Sequence, residues 1–257
     1  MPSVSNILYR LYEDRLLSAL DRSRLPRHIG IILDGHRRYA RSEGLPSYTD
    51  SYRAGMARFE EFIGWAEEIE IPAITGWVLS RENLDRPVEE LGPYFDVLVE
   101  LFGRLPDLCR RYDMTIRFVG SLDLLPGHVV AAAKAAEASN QEGTRRLTIA
   151  MGYGGRQEIV DAVRDLVSRL ADQGIGAQDM AAHIDADAIA RHLYSADLPD
   201  PDLLIRTSGE SRLSGFLLWQ SAYSEFAFVD VFWPAFRRVD FFRALRDYTR
   251  RERRFGK

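Results

Sequence analysis

The chain has 257 residues, of which 46% are hydrophobic and 28% are charged, and its net charge at pH 7 is -4. This composition is typical of a globular protein with a sizeable core, and the near balance of charge excludes a sequence-independent nucleic-acid-binding protein. The single cysteine, Cys109, excludes an internal disulfide framework. No segment is apolar over the length of a bilayer span and no signal-peptide pattern is visible, so we expect a cytoplasmic protein.

The first 24 residues predict an amphipathic helix. Apolar side chains such as Leu8, Leu11 and Leu16 recur at helical spacing. We expect this helix to pack on its own domain, and docking on a membrane surface is the alternative.

The next segments alternate between strand and helix patterns. Residues 28–33 form a short apolar run that predicts a strand, residues 56–70 have helical periodicity, and residues 73–80 predict a second strand. Residues 87–112 predict a long apolar helix, which Pro106 is expected to kink or break.

The alternation continues through the middle of the chain. Residues 115–120 and 146–152 predict strands, and residues 156–174 predict an amphipathic helix that ends at a glycine. Residues 185–194 predict a helix capped by an acid, and residues 202–209 predict a strand that runs into a turn.

Two further apolar runs, residues 216–220 and 226–232, have the composition of strands, and residues 239–255 predict a basic closing helix. Strands separated by helices favour parallel pairing with helices on both faces. The sequence therefore predicts an α/β fold, a parallel sheet flanked by helices, in one domain over residues 1–257.

The first group of polar residues follows the first predicted strand. Asp34, Gly35, His36, Arg37 and Arg38 stand together there, and ligands of open parallel sheets bind beyond the carboxyl ends of the strands. The glycine allows close backbone approach, and free N–H groups of a following helix would add an anion site. The carboxylate forms either a salt bridge or a Mg²⁺ ligand beside phosphate-binding cations, and these residues alone leave both open.

A second group follows residues 73–80. Ser80, Asn83 and Arg86 offer a hydroxyl, an amide and a cation, although helix capping equally explains Ser80 and Glu82.

A third group lies in IRTSGESRLSGF, residues 205–216. Arg206, Arg212 and Ser214 can converge on one anion, because two guanidinium groups and a hydroxyl fork well onto phosphate oxygens.

The three groups together predict a Mg²⁺-dependent enzyme that acts on phosphate or diphosphate esters. Zinc-protease spacing, a Walker A loop, the dinucleotide fingerprint and a nucleophile elbow are all missing from the sequence. The apolar residues between 91 and 108 either belong to the core or line a hydrophobic tunnel for an apolar part of the substrate.

Several segments closely resemble, in this order, the cis-prenyltransferases, the family of undecaprenyl diphosphate synthase. They are HIGIILDG, LSRENLDRP, GYGGRQEIVDAV, PDPDLLIRTSGESRLSGFLLWQSAYSEF, WPAFRRVDFFRALRDY and RERRFG. The resemblance covers residues 25–257, and details of it are most similar to the short-chain branch that includes Z,E-farnesyl diphosphate synthase. It implies a homodimer with a hydrophobic tunnel between sheet and helices.

The resemblance also implies roles for matched residues on the allylic side. Asp34 would hold Mg²⁺ on the allylic diphosphate, which Gly35, Arg37, Arg38 and Tyr39 would cradle.

On the acceptor side, the match implies that Glu225 assists through Mg²⁺ and that Asn83, with Ser80, is a candidate to take the proton that the acceptor loses. The residues implied to hold the acceptor diphosphate are Arg86, Arg206, Arg212 and Ser214. The remaining implied substrate contacts are His36, Tyr52, Arg81, Glu82, Leu84 and Leu213.

The sequence departs from the family pattern around the allylic end. His36 stands where the family has asparagine, Tyr39 replaces a tryptophan, and Ser51-Tyr52 stands where longer-chain members have Gly-His. The histidine adds a group that can titrate near neutral pH.

The altered motif residue favours irregular, lavandulyl-type head-to-middle coupling of an allylic diphosphate (dimethylallyl or geranyl) with dimethylallyl diphosphate. Regular head-to-tail coupling with isopentenyl diphosphate stays open. We expect products of about ten to fifteen carbons, with Leu79, Phe95 and Phe102 closing the tunnel early.

A non-catalytic partner subunit is the remaining alternative. It predicts loss of the metal-binding acid and the acceptor arginines, but Asp34, Arg206 and Arg212 are all present.

Overall fold

A computed structural model describes residues 12–251 of the chain. Residues 12–18 are helical (α1) and a 3-10 turn follows at Arg22–Arg24, so the helix predicted over 1–24 ends earlier than expected, and its first eleven residues lie outside the described residues. Leu16 and Leu20 are buried in the main core, as expected for a helix that packs on its own domain. Within residues 12–251, no helix has the length and apolar character needed to cross a membrane.

The described chain forms one six-stranded, all-parallel sheet in the order β3-β4-β2-β1-β5-β6. The strands are β1 His28–Ile32, β2 Ala73–Ser80, β3 Met114–Val119, β4 Arg145–Tyr153, β5 Leu203–Arg206 and β6 Glu225–Phe228. This confirms the predicted α/β class with a parallel sheet.

Helices connect the strands and cover both faces of the sheet. They are α2 His36–Ser42, α3 Tyr48–Glu68, α4 Val88–Arg111, α5 Gly127–Ala138, α6 Gly155–Asp172, α7 Ala177–Met180, α8 Ala186–Ala190 and α9 Arg238–Thr249. Short 3-10 turns lie at Glu82–Asp85, Leu122–Leu124, Ala181–His183 and Trp233–Ala235.

The strands alternate their side chains between two cores. Ile29 and Ile31 of β1 belong to the main core under α3, α4 and α9, whereas Ile32 and Leu204 belong to a smaller core on the opposite face. Because neighbouring residues of a strand point to opposite faces, both faces of a covered sheet need apolar residues. This explains the unbroken apolar run that predicted β1.

Two sequence expectations about helices need correction. Pro106 does not break α4, which runs without interruption from Val88 to Arg111 and contains Pro93 as well. Its packing between the sheet and α5 offsets the missing backbone donors. Helix α5, which is rich in alanine, was not anticipated from its weak pattern.

The apolar run at 216–220 is not a strand. It forms turns in which the Phe216 N–H bonds the Leu213 carbonyl and the Ser221 N–H bonds the Leu217 carbonyl. Phe216 is fully buried and stacks on Trp77 with ring centroids 5.1 Å apart, so its apolar character reflects burial under the sheet. The strand expected over 226–232 is also shorter, because β6 ends at Phe228.

The strand order decides where a site can form. Strand β1 is paired in parallel with β2 on one side and β5 on the other. The three polar groups that follow these strands are therefore neighbours at one edge of the sheet, although they are far apart in the chain.

Candidate active site

A cavity of about 770 Å³ opens at the carboxyl ends of β1, β2 and β5, and all three predicted polar groups contribute to its walls. The predicted residues that line it are Asp34, Gly35, His36, Arg37, Arg38, Tyr52, Ser80, Glu82, Asn83, Arg86, Arg206, Arg212 and Ser214.

Asp34 lies at the centre of this arrangement. Its Oδ2 accepts a hydrogen bond from Arg206 at 2.9 Å, and its Oδ1 is 3.4 Å from an Arg38 nitrogen. Burial alone would raise the pKa of the carboxyl group, but hydrogen bonds from Arg206 and Ser208 and the charges of Arg206 and Arg38 lower it below its usual value. Asp34 is therefore an ionised carboxylate on the cavity wall.

The backbone of Asp34 is held as firmly as its side chain. Its N–H donates to the Thr207 hydroxyl at 3.1 Å, and its carbonyl accepts from the Trp233 N–H at 2.9 Å. These bonds tie the end of β1 to the segment after β5 and orient the carboxylate.

Gly35 is required for two reasons. Its φ of +107° lies in the left-handed region. A Cβ at this position would also lie 2.8 Å from the Phe232 ring and 3.0 Å from Ser208. The glycine lets the chain turn from β1 into α2 against this wall.

Arg206 ends β5 and is buried, with 7% of its side chain exposed. Besides Asp34, it donates to the Ser214 hydroxyl at 2.8 Å and to the Arg212 carbonyl. Its Nε has no hydrogen-bond partner among the described residues. The hydrogen bonds of Arg206 thus hold the 206–214 loop around its side chain. Its Nε–H group remains available to donate to a ligand.

Arg38 reaches the same loop from α2. It donates to the Ser208 hydroxyl at 2.6 Å and to Glu210 at 3.1 Å. Ser208 and Gly209 both have positive φ values, of 76° and 73°, and this tight turn brings the loop back over α2.

The group after β2 forms its own chain of contacts. The Ser80 hydroxyl accepts from the Asn83 N–H at 3.1 Å, which is the capping contact that the sequence also allowed. The Asn83 side-chain oxygen accepts from Arg86 at 2.7 Å, and Arg86 in turn donates to Glu90 at 3.1 Å.

Four charged or aromatic side chains at this cavity were not anticipated. Tyr94 from the start of α4, Glu210 from the loop after β5 and Arg41 from α2 line it, and Glu90, also from the start of α4, contacts the lining residues Arg37 and Arg86. Residues 87–112 predicted an apolar helix of the core or of a tunnel, and a lone acid in a loop carries no signal of its own. Arg41 donates to the Tyr48 hydroxyl at 3.1 Å.

One wall of the cavity is apolar. Tyr52 and Tyr94 meet edge to face with centroids 4.7 Å apart, and the Tyr94 hydroxyl donates to the Val78 carbonyl. The other apolar residues of the wall are Ile32, Leu33, Trp77 and Val78. Leu79, Phe95 and Phe102, expected to limit a tunnel, are buried in the main core and are not among the residues that line the cavity.

His36 borders the cavity, but its ring packs away from the charged wall. A Cβ on Gly55 of α3 would lie only 2.1 Å from its Nε2, and the Tyr52 ring is 5.7 Å away. Burial lowers its pKa to about 4, because a charged imidazolium has no water there. The expectation that this histidine titrates near neutral pH is therefore wrong.

Four predicted contacts do not reach the cavity. Arg81 donates to Ser121 at 2.8 Å, on the far side of the turn after β2. Leu213 packs on the smaller core. Tyr39 and Leu84 are half-buried on other faces of their elements.

Glu225 lies away from Asp34 within one chain. It is the first residue of β6, beside Leu203 at the start of β5, and it pairs with Arg251 at 2.6 Å. Asp34 follows the opposite, carboxyl end of β1. The assistance of Glu225 through Mg²⁺ stays a prediction.

The donor set at Asp34 nevertheless suits Mg²⁺. Among the described residues, no three His, Cys, Asp or Glu side chains are grouped closely enough to hold a metal. Mg²⁺, however, often binds through one or two carboxylates together with substrate phosphates and water. An ionised Asp34 next to arginines that can bind phosphate fits that mode.

The fold and this cavity define an α/β enzyme with a site for polyanionic ligands that also carry an apolar group. A family model described as "Putative undecaprenyl diphosphate synthase" matches residues 32–256. The chain therefore belongs to the undecaprenyl diphosphate synthase family, the cis-prenyltransferases, and is a prenyl-transferring enzyme.

Individual relatives agree with this assignment. The chain is 50% identical to a (2Z,6E)-farnesyl diphosphate synthase of Thermobifida fusca, with 97% of each chain covered. It is 48% identical to an isoprenyl transferase of Thermus thermophilus, covering 99% of this chain and 98% of the relative. Among solved structures, lavandulyl diphosphate synthase from Lavandula x intermedia in complex with dimethylallyl diphosphate superposes with a TM-score of 0.85 at 32% identity, covering 91% of this chain and all of the other.

Proposed function

We propose that this enzyme condenses geranyl or dimethylallyl diphosphate with isopentenyl diphosphate, head to tail, to a short-chain cis-prenyl diphosphate. The observation that carries the proposal is one cavity in which arginines from two directions surround Asp34 beside a small apolar wall. Two diphosphates need two sets of cations, and a short prenyl group needs a short apolar surface.

In this proposal the allylic diphosphate lies on the α2 side of the cavity. Arg37 and Arg38 stabilise the negative charge that develops on the leaving group as the allylic C–O bond breaks. Asp34 holds Mg²⁺ there, and the bound ion supplies further positive charge to the diphosphate. The apolar wall of Tyr52 and Tyr94 receives the prenyl group.

The acceptor diphosphate lies on Arg86, Arg206, Arg212 and Ser214. The acceptor double bond attacks the allylic carbon, and the acceptor then loses a proton. Asn83 is a weak base, and its side-chain oxygen already accepts from Arg86. We therefore assign proton removal to the released diphosphate, with Ser80 and Asn83 orienting the acceptor.

The preference for a linear product rests on relatives and on His36. The relatives at 48–50% identity are named for linear or unspecified prenyl products, whereas the lavandulyl enzyme is 32% identical. The sequence alone favoured irregular coupling because of His36. Its ring packs on Gly55 instead of facing the charged wall, so that argument loses its physical basis.

Irregular coupling remains the second candidate, since the lavandulyl enzyme shares the fold at a TM-score of 0.85. The test is to incubate the protein and Mg²⁺ with geranyl diphosphate plus either isopentenyl or dimethylallyl diphosphate, and to identify dephosphorylated products by mass spectrometry. We expect a linear product with isopentenyl diphosphate. A branched product formed only with dimethylallyl diphosphate would refute the proposal. Homodimer formation stays a prediction.

A further inference from the structure

Two carboxylates of the cavity each bridge two arginines, and in both cases the two arginines lie on different sides of the site. Glu90 is 3.5 Å from Arg37 through Oε2 and 3.1 Å from Arg86 through Oε1. Arg37 belongs to the allylic side of the proposed function and Arg86 to the acceptor side.

Glu210 repeats this arrangement on the opposite wall. Its Oε1 is 3.1 Å from Arg38 on the allylic side, and its Oε2 is 2.5 Å from Arg212 on the acceptor side. In each bridge the two oxygens of one carboxylate are divided between the two sides.

The bridges are well placed for exchange with ligands. The side chains of Glu90, behind the lining residues Arg37 and Arg86, and of Glu210, on the cavity wall, are 16% and 25% exposed, whereas those of Arg37 and Arg212 are 44% and 65% exposed. Ion pairs that are open to solvent contribute little to stability individually. A diphosphate, with more charge and more acceptor oxygens than a carboxylate, is the stronger partner for a guanidinium group.

We propose that Glu90 and Glu210 are positioning residues that couple the two diphosphate sites, standing in for the diphosphates in the free enzyme. The inference rests on the proposed function. Either diphosphate takes one arginine from each bridge. Each carboxylate then keeps only one of its two arginines and lies close to the bound polyanion. Repulsion between the two negative charges moves the carboxylate away from its remaining arginine as well. The second diphosphate therefore meets arginines that the first has released.

This coupling makes the two ligands bind with positive cooperativity, and linkage requires the effect to be the same in both directions. In the wild type, isopentenyl diphosphate should bind about 5-fold or more tightly when the allylic site is occupied. Replacing a bridging carboxylate with an amide should tighten the binding of each diphosphate alone and bring this ratio towards one.

The experiment measures the Kd of isopentenyl diphosphate by titration calorimetry in Mg²⁺, with and without saturating geranyl S-thiolodiphosphate, whose C–S bond breaks too slowly to react. The variants are Glu90→Gln, Glu210→Gln and the double variant. Glu100→Gln is the matched control, because it removes an ion pair of 3.0 Å between α4 and Arg53 of α3, outside the cavity. It should keep the wild-type ratio.

A purely structural role predicts another result. If Glu90 and Glu210 only brace their elements, the amide variants lose thermal stability and bind each diphosphate more weakly, with an unchanged ratio. That result overturns the inference, as does a wild-type ratio of one in an enzyme that turns over both substrates. If the wild type binds neither diphosphate, the proposed function fails as well.

Discussion

Each end of strands β1 and β5 carries an acid, a buried one at the amino end and a half-buried one at the carboxyl end, and the two acids are satisfied in different ways. At the amino end, Asp202 accepts the backbone N–H groups of Arg27 and His28, at 2.7 and 3.3 Å. At the carboxyl end, Asp34 is held by Arg206 and Arg38, long side chains that also border the cavity. Backbone partners cannot leave, whereas guanidinium groups can change partners. The amino end is thus built for stability, and the carboxyl end for exchange with ligands.

The sharpest way to break this comparison is the same substitution at both ends. Asp34→Asn keeps the volume and removes the charge, so we expect turnover to fall by about 10³-fold, the scale for losing a stabilising group of a developing anion. The melting temperature should change little. Steady-state kinetics on the purified variant check this, and near wild-type turnover would contradict the role of Asp34.

Asp202→Asn should produce the opposite pattern. It weakens two charge-assisted bonds to buried backbone donors, so we expect the free energy of unfolding to fall by about 1–3 kcal/mol. Turnover per folded molecule should stay at the wild-type value. Urea denaturation and kinetics on one preparation make the comparison, and a loss of turnover with intact stability would show that the two ends are not separate.

His36 shares features with both ends of the strands. It lies at the carboxyl end but is packed like a residue of the amino end. Gly55→Ala forces a Cβ to within 2.1 Å of its ring, so we expect a loss of about 1–3 kcal/mol in the free energy of unfolding.

The control is to make Gly55→Ala in a protein that also carries His36→Asn, in which the imidazole ring is missing. Gly55→Ala should then lose less stability, and the double-mutant cycle should give a coupling between neighbours. Strictly additive effects would mean that the ring does not rest on Gly55. The linear product is expected to persist in His36→Asn.

The smallest expected effect is a pH dependence from the amino end. Burial lowers the pKa of His28, although the Pro199 carbonyl and the charge of Asp202 act in the opposite direction. Below about pH 6.5, His28 therefore binds a proton in the unfolded chain but stays neutral in the folded chain. The free energy of unfolding should fall with decreasing pH there, by at most about 1.4 kcal/mol per unit for one proton.

Denaturant titrations between pH 5 and 7.5 would measure this slope. His28→Gln should remove the part of the slope that His28 contributes and leave the part that His36 contributes, since burial lowers the pKa of both histidines. Equal slopes in the wild type and His28→Gln would contradict the assignment.

Most of the fold was predictable because the strands are apolar runs and the helices have a clear period. The prediction failed where burial and secondary structure diverge, as at residues 216–220, where Phe216 and Leu217 fill a core without pairing as a strand. The position of Glu225 could not be predicted either, because a motif shows which residues occur together but not which end of a strand they occupy.

The candidate site was predictable where residues follow strands, as Asp34, Asn83 and Arg206 do. Glu90 and Glu210 were not, since an acid in the first turn of a helix or in a loop looks like an ordinary solvated residue. Only the folded chain shows that each touches two arginines.

The pairing of β1 between β2 and β5 determines when the site can form during synthesis of the chain. Asp34 and Arg206 are 172 residues apart in the chain and meet only when the last central strand docks. Loop closure over such a distance is entropically unfavourable and depends on the whole sheet. A nascent chain on the ribosome therefore holds Asp34 and the α2 arginines long before the cavity can form, and we expect activity only once synthesis has passed β5.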